Sequence, residues 1–198
     1  MTKKPTKNTR QKILQTTGKL FSQRGYFGVS MQDIASEMGI TKAALYYHFT
    51  GKDVLAEELM RYAVDELKKE LKQAIENSKL PSDVLFNLIK TFLDFRIKRP
   101  EISLLVSLGM SRDEKIPILQ FIIDLRNELT TFLRELIGGV DFIRQASYKS
   151  AFIISGSIIS FVLSPFSYQK KNNKQLASDF SQLLFPKFTI TNKKEQLA

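Results

Sequence analysis

The sequence predicts an all-α protein of about nine helices, with a short three-helix unit first and a longer helical region after it. Three observations predict it. Leu, Ile and Phe dominate a 43% apolar content and recur at three- and four-residue spacing. Only 9 Gly and 6 Pro are spread over 198 residues, and most fall between the periodic runs. No Asn-Gly pair separates two alternating runs, so β-hairpins are not expected.

The first helix is expected to start near Asn8 or Thr9, either of which can cap it. Ile13, Leu14, Thr17, Leu20 and Phe21 then share one face. Gly25 is placed to end it as a left-handed cap. Ser30 opens a second helix, and Asp33 makes an approximate capping box with it. Met31, Ile34, Ala35 and Met38 form the inner face, and Gly39 stops the helix. Thr41 caps a third short helix, with Ala44, Leu45 and Phe49 inward. A fourth starts at Gly51 or Lys52 and runs to about Ser78. Its apolar stripe is Leu55, Leu59, Tyr62, Ala63, Leu67 and Leu71. After a break at Pro81, further helical segments are expected near 82–98, 101–109, 115–137, 141–163 and 174–185. The expected domains are 1–52 and 53–198, joined through the fourth helix without a flexible linker.

Composition removes several classes of function. There is no Cys, so disulfides and thiolate metal sites are excluded. A single His argues against a His-based zinc site. The most apolar run, Ser150 to Leu163, has 14 residues and is too short to span a bilayer. The basic N-terminus is not followed by the apolar core of a signal peptide. The expectation is a cytoplasmic protein with no membrane partner, no cofactor, no metal and no catalytic residues. Charge is uneven. Residues 1–52 carry nine Lys and Arg against two Asp and Glu, most of the net +10. Such a basic end suits a polyanion, either nucleic acid or an acidic membrane surface.

Two short helices joined at a glycine suggest helix-turn-helix. Ala35 is small where the helices approach, Gly39 permits the turn, and Ile40 and Leu45 fill the angle. An ordinary αα-corner has the same pattern. The outward residues favour the first reading. A helix entering a major groove needs small residues near its start, and donors for phosphates and base edges. Thr41, Lys42, Ala43 and Ala44 provide both. Tyr46, Tyr47 and His48 follow, and three consecutive helical residues cannot all point inward. His48 has no evident orienting partner for general-base chemistry.

The stretch from Arg10 to Leu59 resembles the N-terminal domain of the TetR family of bacterial transcriptional regulators. Phe21, Gly25-Tyr26, Ser30, Asp33-Ile34-Ala35, Gly39-Ile40, Leu45-Tyr46, His48-Phe49, Lys52 and Leu55 carry the resemblance. It implies a DNA-binding domain followed by a ligand-binding and dimerisation domain. It also implies that Lys42, Ala43 and Tyr47 read base edges, and that Thr41, Tyr46, His48 and Lys52 hold phosphates. Ser30 and Gln32 match positions that also reach the DNA backbone. Gly18 stands where the family usually has alanine, and Ala44 where a hydroxyl is common.

Past Leu59 the resemblance is architectural. It implies a homodimer bound to a palindromic double-stranded operator and released by a small apolar or amphipathic effector. Phe86, Phe92, Phe95, Leu105, Leu108, Phe121, Leu125, Phe152 and Ile159 are candidates for an apolar effector pocket, though residues of these types are more often ordinary core than ligand contacts. Phe152, Ser155, Gly156, Ile159, Ser160 and Phe180 are candidates for the dimer interface. The alternatives are a DNA-binding regulator or nucleoid-associated protein without a small-molecule switch, and an interaction protein or enzyme with a vestigial helix-turn-helix.

Overall fold

The structure, a computed structural model, describes residues 7–78, 81–104, 108, 115–138 and 173–184. Among these it is all-helical. The α-helices are α1 (Lys7–Arg24), α2 (Met31–Glu37), α3 (Lys42–His48), α4 (Lys52–Glu76), α5 (Pro81–Lys98), α6 (Leu119–Gly138) and α7 (Asn173–Leu184). A 3-10 helix, η1 (Pro100–Ser103), follows α5. The expected segment 101–109 thus begins as a tighter turn, with Pro100 at its first position. The expected helix at 141–163 lies outside the described residues.

Contacts divide the chain into two compact units. One holds residues 1–67 and 95–129, the other 68–94 and 130–198. The first unit buries Ile13, Phe21, Ile34, Leu45, Phe49, Leu55 and Leu59 at 0–1% exposure, so α1 to α4 share one core. Phe95, Ile102, Ile122 and Leu125 are also buried in this unit. The second unit buries Leu71, Leu88, Ile89, Phe92, Leu133, Ile137 and Ala177. Side chains of this size contribute roughly 1.5–3 kcal/mol each on burial, so helices as short as α2 and α3 are held by packing.

Three local features follow from residue type. Gly25 ends α1 with φ 71°, its N–H donating to the Phe21 carbonyl at 2.9 Å. Gly39 ends α2 with φ 63°. A Cβ at position 39 would meet nothing within 4 Å, so the demand for glycine there is conformational alone. Gly39→Ala should therefore cost about 1–2 kcal/mol, and Gly39→Asn less, as read from denaturant midpoints. Gly18 has a different explanation from helix propensity. A Cβ there would lie 3.0 Å from the Glu101 carboxyl, which is 5% exposed beside α1. Its absence gives that carboxylate room.

Two expected core positions are corrected. Ala44 is exposed, because Leu45 and Phe49 already fill the space beneath α3. Tyr62 is 42% exposed, lying beneath the Arg99 guanidinium at 5.1 Å rather than within the stripe of α4. Ala56, Met60 and Val64 are fully buried and broaden that stripe.

Of the candidate pocket residues, Phe92, Phe95, Leu108 and Leu125 are buried, while Phe121 and Phe86 are half-buried. Leu105, Phe152 and Ile159 lie outside the described residues, as do Ser155, Gly156 and Ser160. Phe180 falls within α7.

Candidate nucleic-acid interface

Ser30 is the N-cap of α2. Its Oγ accepts from the Asp33 N–H at 3.1 Å, and its own N–H donates to Asp33 Oδ2 at 2.8 Å, a complete capping box. The Ser30 hydroxyl also donates to that carboxylate. This hydroxyl contact, with the main-chain one behind it, holds the Asp33 carboxyl below its usual pKa. Gln32 is exposed beside the cap, its Nε2 3.3 Å from Ser36 Oγ.

At the turn, the Gly39 N–H donates to Ser36 O and the Ile40 N–H to Ala35 O. Thr41 then caps α3, its Oγ1 accepting from the Ala44 N–H at 3.1 Å. Leu45 is the fully buried residue of α3 and fixes its rotation. Thr41, Lys42, Ala43 and Ala44 are exposed. Among the described residues Tyr47 is the most exposed large apolar side chain at 76%, and Tyr46 is exposed at 42%. Lys42 Nζ lies 5.8 Å from the Tyr46 ring, and the Tyr47 and His48 rings meet edge to face at 5.5 Å. His48 is half-buried. The face thus combines one cation, two phenols and an imidazole with small residues at its start.

Lys52 takes a role that charge reading missed. Its Nζ donates to the carbonyls of Tyr26 and Val29, each at 3.1 Å, and lies 4.3 Å over the Tyr26 ring. Burial lowers its pKa. It ties the start of α4 to the loop before α2. Tyr26 is itself buried against Phe21, with its hydroxyl donating to Asp53.

Arg10 was also missed, being counted only as basic. Its guanidinium bonds both oxygens of Glu58 on α4, with Nε at 2.8 Å. It donates to the His48 carbonyl at 2.5 Å and stacks 4.2 Å over the Phe49 ring. One side chain therefore joins α1, α4 and the end of α3. No pattern within ten residues of Arg10 announces this, since its partners lie 38 and 48 residues away.

Among the described residues no group of three or more His, Cys, Asp or Glu is placed to hold a metal. No described helix is long and apolar enough to cross a membrane.

Comparison with known proteins bears on this face. Residues 13–59 match the family described as bacterial regulatory proteins, tetR family. Over 105 residues the chain is 31% identical to IcaR of Staphylococcus aureus, the HTH-type negative transcriptional regulator of the icaADBC biofilm operon. That match covers 53% of this chain and 56% of IcaR, so it spans about half the length of either protein. The HTH-type transcriptional regulator YerO of Bacillus subtilis is 34% identical over 101 residues, 50% of this chain and 35% of YerO. Among solved structures, AibR in complex with isovaleryl coenzyme A and operator DNA superposes with a TM-score of 0.69. It is 25% identical, covering 89% of this chain and 98% of AibR. Residues 13–59 thus carry a helix-turn-helix that matches the tetR family, within an all-helical fold shared with AibR over most of both chains.

Proposed function

We propose that the protein is a cytoplasmic, homodimeric repressor of transcription that binds a palindromic operator and leaves it when a small apolar or amphipathic ligand binds. The observation that carries this is the outer face of α3. Lys42, Ala43 and Tyr47 stand exposed on a helix whose rotation is fixed by buried Leu45. The relatives support it: IcaR is a negative regulator, and AibR was solved with operator DNA and an acyl coenzyme A. A two-fold dimer suits a palindrome, with recognition helices about 34–36 Å apart entering successive major grooves. Selection of bound genomic fragments, with and without metabolite extract, tests the whole reading. Enrichment of a palindrome that the extract abolishes is expected; no enrichment of any sequence would defeat it.

In this reading Lys42, Ala43 and Tyr47 contact base edges, and Thr41, Tyr46, His48 and Lys52 contact phosphates. Ser30 and Gln32 reach the backbone from the start of α2. Two of the three Lys52 N–H groups are held by carbonyls, leaving one for a phosphate. Lys42→Ala should relax preference at particular bases, while Lys52→Ala should weaken binding evenly on all sequences and lower thermal stability as well. Competition assays against single-base operator variants, paired with melting curves, check both. The buried apolar residues Phe95, Leu108 and Leu125 of the first unit are the proposed source of the effector site. Helix α4 carries the signal, since it runs unbroken from Lys52 to Glu76.

A further inference from the structure

A cleft of about 440 Å³ lies between α1 and the corner where α5 passes into η1. That volume falls within the range of small-molecule sites, about 300–1,000 Å³. Its walls differ in chemistry. Lys19 of α1, with Lys98 and Arg99 from the corner, supplies cationic groups. The carboxylate on the wall, Glu101, is held by Arg99 Nε at 2.7 Å and is nearly buried. The lining is therefore net positive and offers a cation no uncommitted carboxylate. Gln15 adds an amide. Ser22 adds a hydroxyl, and the remaining wall is apolar: Pro100 and Ile97, the latter 70% exposed.

We propose that this cleft binds a small organic anion. Its carboxylate or phosphate head is held by Lys19 and Lys98, and its short apolar chain lies over Ile97 and Pro100. The site is distinct from the apolar effector pocket above and does not depend on DNA binding. It has α1, the first helix of the DNA-binding domain, as one wall. Arg99 is shared with Glu66 of α4 at 3.1 Å, so an anion drawn to Arg99 competes with two carboxylates that now hold it.

The test uses the full chain, isotope-labelled, at constant ionic strength in NaCl. Hexanoate, hexyl phosphate, acetate and hexanol are titrated separately while backbone amide shifts are followed. Saturable shifts at residues 15–22 and 97–101 are expected with at least one of the two six-carbon anions. Saturation by hexanoate assigns a carboxylate head, and by hexyl phosphate a phosphate. The anion should bind at least about tenfold tighter than its counterpart without the chain, since each buried methylene is worth about fourfold. Lys19→Gln with Lys98→Gln should weaken it at least about tenfold. Both lysines are exposed, so the fold is retained, and an unchanged amide pattern elsewhere confirms it. No saturable shift with either anion, hexanol binding as tightly, or undiminished affinity in the double variant would each overturn the proposal.

Discussion

Raising salt from about 50 to 200 mM should weaken operator binding by about 10³–10⁵, if the dimer neutralises about six to ten phosphates. The charge distribution motivates the estimate, with nine Lys and Arg against two Asp and Glu in residues 1–52. Some of that charge is already spent. Arg10 is paired with Glu58, whereas Lys52, bonded to two neutral carbonyls, keeps its charge. The steep response should therefore come largely from Lys42, Lys52 and the basic N-terminal arm, with neutral donors on α2 and α3 adding contacts that release no counterions. Deleting residues 2–7 should then reduce the slope of log affinity against log salt without changing the melting temperature. Fluorescence anisotropy with labelled operator across a salt series measures both. A flat response would remove the electrostatic basis of the proposed function.

Leu45→Ala should destabilise the protein by about 2–5 kcal/mol, because Leu45 is fully buried and its removal leaves a cavity beneath α3. For a chain of this size that corresponds to a fall of roughly 4–20 °C in melting temperature. Operator affinity should fall with it, since Leu45 sets which residues α3 turns outward. Tyr47→Ala is the matched opposite. At 76% exposure Tyr47 supports nothing beneath it, so its loss should leave the melting temperature nearly unchanged. Affinity should still drop, by about 5- to 150-fold if the ring makes a specific base contact of about 1–3 kcal/mol. If Tyr47→Ala melts early and binds normally, the outward face has been misassigned. The two variants together separate mounting from contact.

What could be read in advance divides along a physical line. Gly25, Gly39, the Ser30–Asp33 box and the Thr41 cap are local, each defined by partners within about four residues. They were legible, as was the inward position of Leu45. Ala44 was misplaced because a short helix with one deeply buried side chain has a narrow inner face, and small residues at its edge carry no signal. Tyr62 was misplaced because an amphipathic ring fits a stripe by spacing while preferring a guanidinium above it. Gly18 gave only a propensity signal; its reason, the Glu101 carboxyl, lies 83 positions along the chain. Arg10 and Lys52 were legible as charge and illegible as clamps, because side-chain partners across a fold leave no periodicity. Which residues stand on the outward face of α3 was legible from residue type. How that face is held was not.

The Arg10 clamp has a consequence for how such a protein can change its target. Its guanidinium grips a main-chain carbonyl and an aromatic ring at the end of α3, and a carboxylate on α4. The Thr41 cap likewise uses a main-chain N–H. Neither grip depends on what stands at positions 42, 43, 46 or 47. Under the proposed function this face is interchangeable on a constant socket: these four residues can drift or be redesigned toward a new operator while Arg10, Thr41, Leu45 and Phe49 keep the helix at the same angle. Retargeting then becomes a choice among side chains at four exposed positions, and a library confined to them should return folded proteins at high frequency.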